Sequence, residues 1–162
     1  MKFSTREDIE APIDHVFDRV SDFASFERRA LRYGADVVRL DEGPVQEGSS
    51  WNIAFQFRGR ERRMQSHLAS FDPPNGYLVT TMSDGMTITS TVDLVALSRG
   101  RTRVAVAVDL RAKTLTARLL LQSMKLAKTK LTKRFKARVL EYAEDLEEIG
   151  RASCRERVYS GV

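Results

Sequence analysis

A chain of 162 residues, 42% apolar and 30% charged, is long enough for one domain with a core, too short for two, and too apolar for wholesale disorder. No window approaches the roughly 18 to 20 uninterrupted apolar residues of a membrane span. The charged start from Met1 to Asp8 lacks the apolar run of a signal peptide, so the expected location is the cytoplasm. The net charge of +5 conceals a segmented distribution, with ten basic residues and no acidic one from Arg111 to Arg138, then an acidic stretch from Glu141 to Glu148. A single cysteine, Cys154, excludes an internal disulfide or a cysteine metal cluster, and two histidines, His15 and His67, leave little for zinc. Neither a metal nor a cofactor is expected.

Residues 2–10 read as a first strand. Ala11-Pro12 opens a short helix, with Ile13, Val16, Phe17 and Val20 on one face. A second short helix is expected over 22–33, with Phe23, Phe26, Ala30 and Leu31 as its apolar side and Gly34 at its end. The period then changes from about 3.6 to 2. Strands are expected at 37–40, 51–57, 62–71, 77–82, 86–97 and about 104–110. Turn chemistry separates them at Asp41 to Pro44, Arg58-Gly59-Arg60, Asp72 to Gly76, Ser83-Asp84-Gly85 and Ser98 to Arg101. Thr114 suits the N-cap of a last helix running to about Ile149, about 54 Å at 1.5 Å per residue. Its core stripe reads Leu120, Met124, Ala127, Leu131, Phe135, Tyr142, Leu146 and Ile149.

One strand, two helices, six sequential strands and a long helix imply an α+β fold whose sheet cannot hide its apolar face unaided. The last helix is the one element large enough to cover it. A sheet curled around that helix leaves a cavity wherever inward side chains are too small to fill the space. Trp51, Ile53, Phe55 and Phe57 supply inward aromatic and aliphatic groups from one strand, and Leu68, Ile88, Val92 and Val106 from others. Leu120, Met124, Leu131 and Phe135 are expected to face them from the helix. Ser66, Thr80 and Ser90 are small hydroxyl residues suited to orienting a ligand in such a cavity, although sheets also use them for packing.

The segment Ile9-Glu10-Ala11-Pro12-Ile13-Asp14-His15-Val16-Phe17-Asp18-Arg19-Val20-Ser21-Asp22-Phe23 resembles the opening of the SRPBCC, or START/Bet v 1-like, superfamily. There a strand ends in a small residue and proline, followed by a helix with an aromatic and a Ser-Asp pair. Phe71-Asp72-Pro73-Pro74-Asn75 is a second similarity, and the resemblance covers residues 2–149. It implies a helix-grip fold with about seven antiparallel strands wrapped around the long C-terminal helix. It also implies a small hydrophobic ligand, in a superfamily that includes lipid carriers, polyketide cyclases, quinone-binding proteins and plant allergens.

His15, beside Asp14, reads as a surface residue, and His67 as structural. No nucleophile-base pair and no glycine-rich phosphate loop is present, and the isolated turn glycines have the wrong spacing for dinucleotide binding. The expectation is therefore a hydrophobic-ligand carrier or sensor with no assigned catalytic residue. A cyclase- or dehydrase-like enzyme using the same cavity is the alternative. The basic segment lacks the aromatic interleaving of an RNA module, which argues against nucleic acid. Its second apolar stripe of Leu115, Leu119, Leu126 and Leu140 would suit a partner or an anionic membrane. Residues 150–162 show no helical period and read as a disordered or artefactual tail foreign to the 1–149 domain, as in a translated adapter. Oligomeric state is not encoded in any of these patterns.

Overall fold

The computed structural model of the chain describes residues 1–160, with side chains through Glu148. In chain order its elements are β1 (Lys2–Ile9), α1 (Ile13–Val20), α2 (Phe23–Arg32), β2 (Asp36–Arg39), β3 (Ser50–Phe57), β4 (Arg60–Asp72), β5 (Gly76–Ser83), β6 (Met86–Ser98), β7 (Arg101–Ala112), α3 (Leu115–Leu126) and α4 (Lys128–Ser160). The strands form one seven-stranded sheet in the order β1-β7-β6-β5-β4-β3-β2, with antiparallel pairing throughout. This is the helix-grip α+β architecture expected from the element order. β2 to β7 form a meander joined by local turns, and β1 returns to pair with β7.

Local chemistry sets the helix boundaries. Asp22 accepts from the Ser25 backbone N–H at 3.2 Å and caps α2, and Thr114 accepts from that of Ala117 at 3.2 Å and caps α3. α1 stops at Val20, where two tyrosines take over its last carbonyls. Tyr77 donates to the Val20 oxygen at 2.6 Å and Tyr142 to the Arg19 oxygen at 3.0 Å. Burial raises both phenol pKa values, so these hydroxyls stay neutral donors. Gly85, at φ 74°, turns β5 into β6, and a Cβ there would run into the Thr114 side chain. The missing side chain lets α3 begin directly against that turn, where the Lys113 N–H donates to the Gly85 oxygen at 2.6 Å.

The expected single helix is two. α3 ends at Leu126, Ala127 leaves helical geometry at φ −105°, ψ 13°, and α4 starts at Lys128. No glycine or proline marks the break. Packing accounts for it, because α3 lies on β7 whereas α4 runs along β1. The change of direction also shifts the buried stripe of α3. Ala117 and Leu121 are buried where Leu120 was expected to be, and Ala127 is exposed. Helical backbone continues past Ile149 to Ser160, and the side chains on which the reading of residues 150–162 rests lie outside the described residues.

The core has two separate parts. One joins Ile9, Ala11, Val16, Phe17 and Val20 to Trp51, Leu68, Tyr77, Leu94 and Val104, and α4 closes it with Ala143 and Leu146. The smaller one joins Phe3, Leu110 and Leu121 at the other end of β1 and β7.

Candidate functional site: the inner face of the sheet

Strand register defines which side chains face the helices. Trp51 pairs with Ser66, Ser66 with Thr81, Thr81 with Ile88 and Ile88 with Leu110, so these five share the inner face. Leu68, Val79, Ser90 and Val108 form a parallel row on the same face, and Tyr77, Val92 and Val106 the next. Ile53 with Met64, and Phe55 with Arg62, extend it toward the β3–β4 turn.

The sequence-derived candidates divide into three groups along this face. Trp51 and Leu68 are core, at 5% and 0% exposure. The Trp51 indole N–H donates to Glu27 at 2.7 Å, and its ring lies 5.3 Å from that of Phe23. Ser66 is buried as well, and its hydroxyl bonds the Thr81 hydroxyl at 2.7 Å. The second group faces inward and is only half-buried: Ile53, Phe55, Ile88, Ser90, Val92 and Val106 from the sheet, with Met124, Leu131 and Phe135 from the helices. Leu120 is half-buried too, but packs in neither core cluster. The third group is misplaced or exposed. Thr80 pairs with His67 and Thr89 on the outer face, and the inward threonine is its neighbour Thr81. A shift of one residue exchanges the two faces of a strand. Phe57, at the β3–β4 turn, is 43% exposed, with the Arg58 guanidinium 5.2 Å above its ring.

The outward position of His67 agrees with a structural role, since its Nδ1 lies 2.7 Å from the Ser50 hydroxyl. His15 is half-buried rather than surface-exposed, and its Nε2 is buried without a hydrogen-bond partner among the described residues.

Charge on the inner face is sparse. Arg39, opposite Trp51, bonds Asp41 at 2.9 Å. With the Ser50 backbone N–H and the Ser49 hydroxyl, Arg39 holds the Asp41 carboxyl far below the usual carboxylate range. Glu7, on β1, and Arg60 and Arg62, on β4, are the other charged residues in inward register, with Arg60 exposed at the β3–β4 turn. Arg62, which sequence reasoning passed over, forms no ion pair or hydrogen bond among the described residues, and its Nε is buried. Its parity with Met64, Ser66 and Leu68 on one strand is the signal that would have found it.

Among the described residues, no group of three or more His, Cys, Asp or Glu side chains is placed to hold a metal ion, and no helix is long and apolar enough to cross a membrane. The stripe expected on the last helix is exposed, with Leu115 at 73%, Leu119 at 58%, Leu126 at 93% and Leu140 at 44%. At the α3–α4 break, Leu126, Ala127, Thr129, Lys130 and Lys133 line a hollow of about 460 Å³.

Comparison with solved structures returns the same architecture. The aromatase/cyclase ZhuI from Streptomyces sp. R1128 superposes with a TM-score of 0.61 at 16% identity, over 89% of this chain and 93% of that one. TTHA0849 from Thermus thermophilus gives 0.61 at 15% identity, over 94% and 99%. Ara h 8.0201 gives 0.54 at 14% identity, over 87% and 98%. Identities this low establish a shared fold and nothing finer. No curated protein sequence matches the chain. A family profile does match, over residues 1–147, and by it the chain belongs to the SRPBCC-type family described as polyketide cyclase / dehydrase and lipid transport.

Proposed function

We propose that the protein is a carrier or sensor that holds a small hydrophobic molecule, a lipid, quinone or polyketide-like compound, between the inner face of the sheet and α3–α4. The observation that carries this reading is the divided core. Ile53, Phe55 and Met64 face inward, belong to neither core cluster and are only half-buried. An apolar inner face that its own helices leave partly uncovered gains stability when an apolar molecule covers it, by about 25 cal/mol per Å² removed from water. Both cyclisation of polyketides and lipid transport, the activities in the family description, handle apolar molecules. A cyclase would need two ionisable groups meeting on one substrate. Arg39 is already paired with Asp41, and the cations Arg60 and Arg62 on β4 are separated from the Glu7 carboxylate on β1 by β5, β6 and β7, which favours holding over catalysis. Two measurements test the reading: native mass spectrometry of protein purified from its own cells, and titration with the neutral probe N-phenyl-1-naphthylamine. A copurifying apolar molecule or saturable probe binding supports it. A protein that emerges empty and binds no probe refutes it.

A second reading adds a docking surface. Leu115, Leu119 and Leu126 fall within about 40° of one another around α3. They are the most exposed leucines of this region, and Lys113, Arg118, Lys125, Lys128 and Lys130 surround them without an acidic neighbour. An apolar line flanked by lysines suits the surface of an anionic membrane, where each basic residue contributes about 1 kcal/mol. Cosedimentation with phosphatidylserine vesicles at about 0.05 M salt should retain the wild type and release a Lys130, Lys133, Lys136→Gln variant. Wild-type protein left in the supernatant would end this reading.

A further inference from the structure

Among the described residues, three buried side-chain nitrogens have no hydrogen-bond partner: His15 Nε2, Arg39 Nε and Arg62 Nε. They are not equivalent. The Arg39 charge is answered by Asp41 at 2.9 Å through another nitrogen of the same guanidinium, and His15 belongs to α1 rather than to the sheet. Arg62 carries a full positive charge with no carboxylate of the described residues in reach. Its neighbours on β4, Glu61 and Arg63, belong to the outer face and pair with each other at 3.7 Å. Inward, Arg62 stands directly across from Phe55, two residues from Met64, beside the apolar side chains that neither core cluster covers. A buried N–H without an acceptor is costly, so an acceptor placed against Arg62 Nε would be stabilising.

Resting on the ligand-holding reading above, we propose that Arg62 is the polar anchor of the inner face. Its guanidinium takes the oxyanion head, carboxylate or phosphate, of an amphipathic molecule whose apolar chain lies over Ile53, Phe55 and Met64. The planar guanidinium presents parallel N–H donors that match two oxygens of either head group.

The test is displacement of N-phenyl-1-naphthylamine by three molecules of equal chain length: laurate, dodecyl phosphate and dodecanol. In the wild type, both anions should displace the probe at concentrations at least about tenfold below that of dodecanol, the scale of a charge-assisted contact. Arg62→Gln should bring both anions to the dodecanol level and leave dodecanol unchanged, while Arg62→Lys, which keeps charge but not the fork, should retain part of the difference. The order of laurate and dodecyl phosphate identifies the head group. Because Arg62 holds no partner among the described residues, Arg62→Gln should melt within a few degrees of wild type, and Arg62→Lys gives a second comparison should it not. Equal potency of all three ligands on the wild type overturns the anchor, as does an anion advantage that survives Arg62→Gln, which would place its source in another basic group such as Arg60 or the α3–α4 segment. Failure of the probe itself to bind overturns the ligand-holding reading, and the anchor with it.

Discussion

Truncating Phe135 and truncating Leu68 should have opposite profiles if the inner face is part core and part binding surface. Leu68 is fully buried, and its replacement by alanine leaves a hole among Trp51, Tyr77 and their neighbours. Such changes cost about 3 to 5 kcal/mol, or a fall in Tm of about 6 to 20 °C at this chain length. Phe135 is half-buried and touches the smaller cluster through Phe3, ring centroids 6.1 Å apart at 49°. Half of a phenylalanine's burial is worth about 1 to 1.5 kcal/mol, and the ring pair adds roughly another 0.5 to 1. Phe135→Ala should therefore cost about 2 kcal/mol, less than Leu68→Ala, yet it should be the variant that changes probe affinity. Urea unfolding followed by the fluorescence of Trp51, the only tryptophan, gives both stabilities, and N-phenyl-1-naphthylamine titration gives the affinities. A Phe135→Ala cost above that of Leu68→Ala would make Phe135 core. Unchanged probe binding in Phe135→Ala would remove it from the binding surface.

The strand register makes an equally direct claim: Thr81→Val should cost about 1 to 2 kcal/mol by stranding the buried Ser66 hydroxyl, whereas Thr80→Val on the outer face should stay within about 0.5 in the same urea assay. The reverse order would mean a register one residue out. Asp41 is held ionised by Arg39, so its folded pKa is depressed and its stabilisation is present above the ordinary aspartate pKa of about 4, fading as the pH falls below it. The Tm gap between wild type and Asp41→Asn should thus be widest near neutral pH and narrow below about pH 4; a constant gap down to pH 2 would show that the carboxylate charge is not what matters. Deleting residues 150–162 should move the Tm by no more than about 2 °C, and a fall of ten degrees would show that this segment packs on the domain.

Elements bounded by local chemistry were readable from the sequence. The turns at Asp84-Gly85 and Arg99-Gly100, and the Thr114 cap, need only neighbouring residues to declare themselves. Choices between equal neighbours were not. On β5, Tyr77, Val79 and Thr81 compete with Leu78, Thr80 and Met82, and each set offers two apolar residues and one threonine. Only pairing with Ser66 and Ile88 decides between them. The run Leu119-Leu120-Leu121 poses the same problem on α3, where any of three leucines could lead the buried stripe. The break at Ala127 has no local signal, because it is imposed by helices that must follow two different strands. At the candidate site, the apolar inward residues followed from alternation, whereas Arg62 was hidden in the charged run Arg60-Glu61-Arg62-Arg63, whose composition suggests solvent on both sides.

The pairing of β1 with β7 has a consequence for how the chain is made. Phe3 lies opposite Val108, and the Thr102 hydroxyl reaches the Ala11 oxygen across a sequence separation of 91 residues. At about 5 to 20 residues per second, the first strand leaves the ribosome many seconds before β7, its sheet neighbour, exists. The hairpins from β2 to β6 close over short loops and need not wait, but β1 does, with Phe3 and Ile9 uncovered in the meantime. Completion of the sheet is thus a late event, and a nascent chain released before Arg101 would carry both a bare first strand and an open β6 edge, the combination that chaperones bind and aggregation exploits.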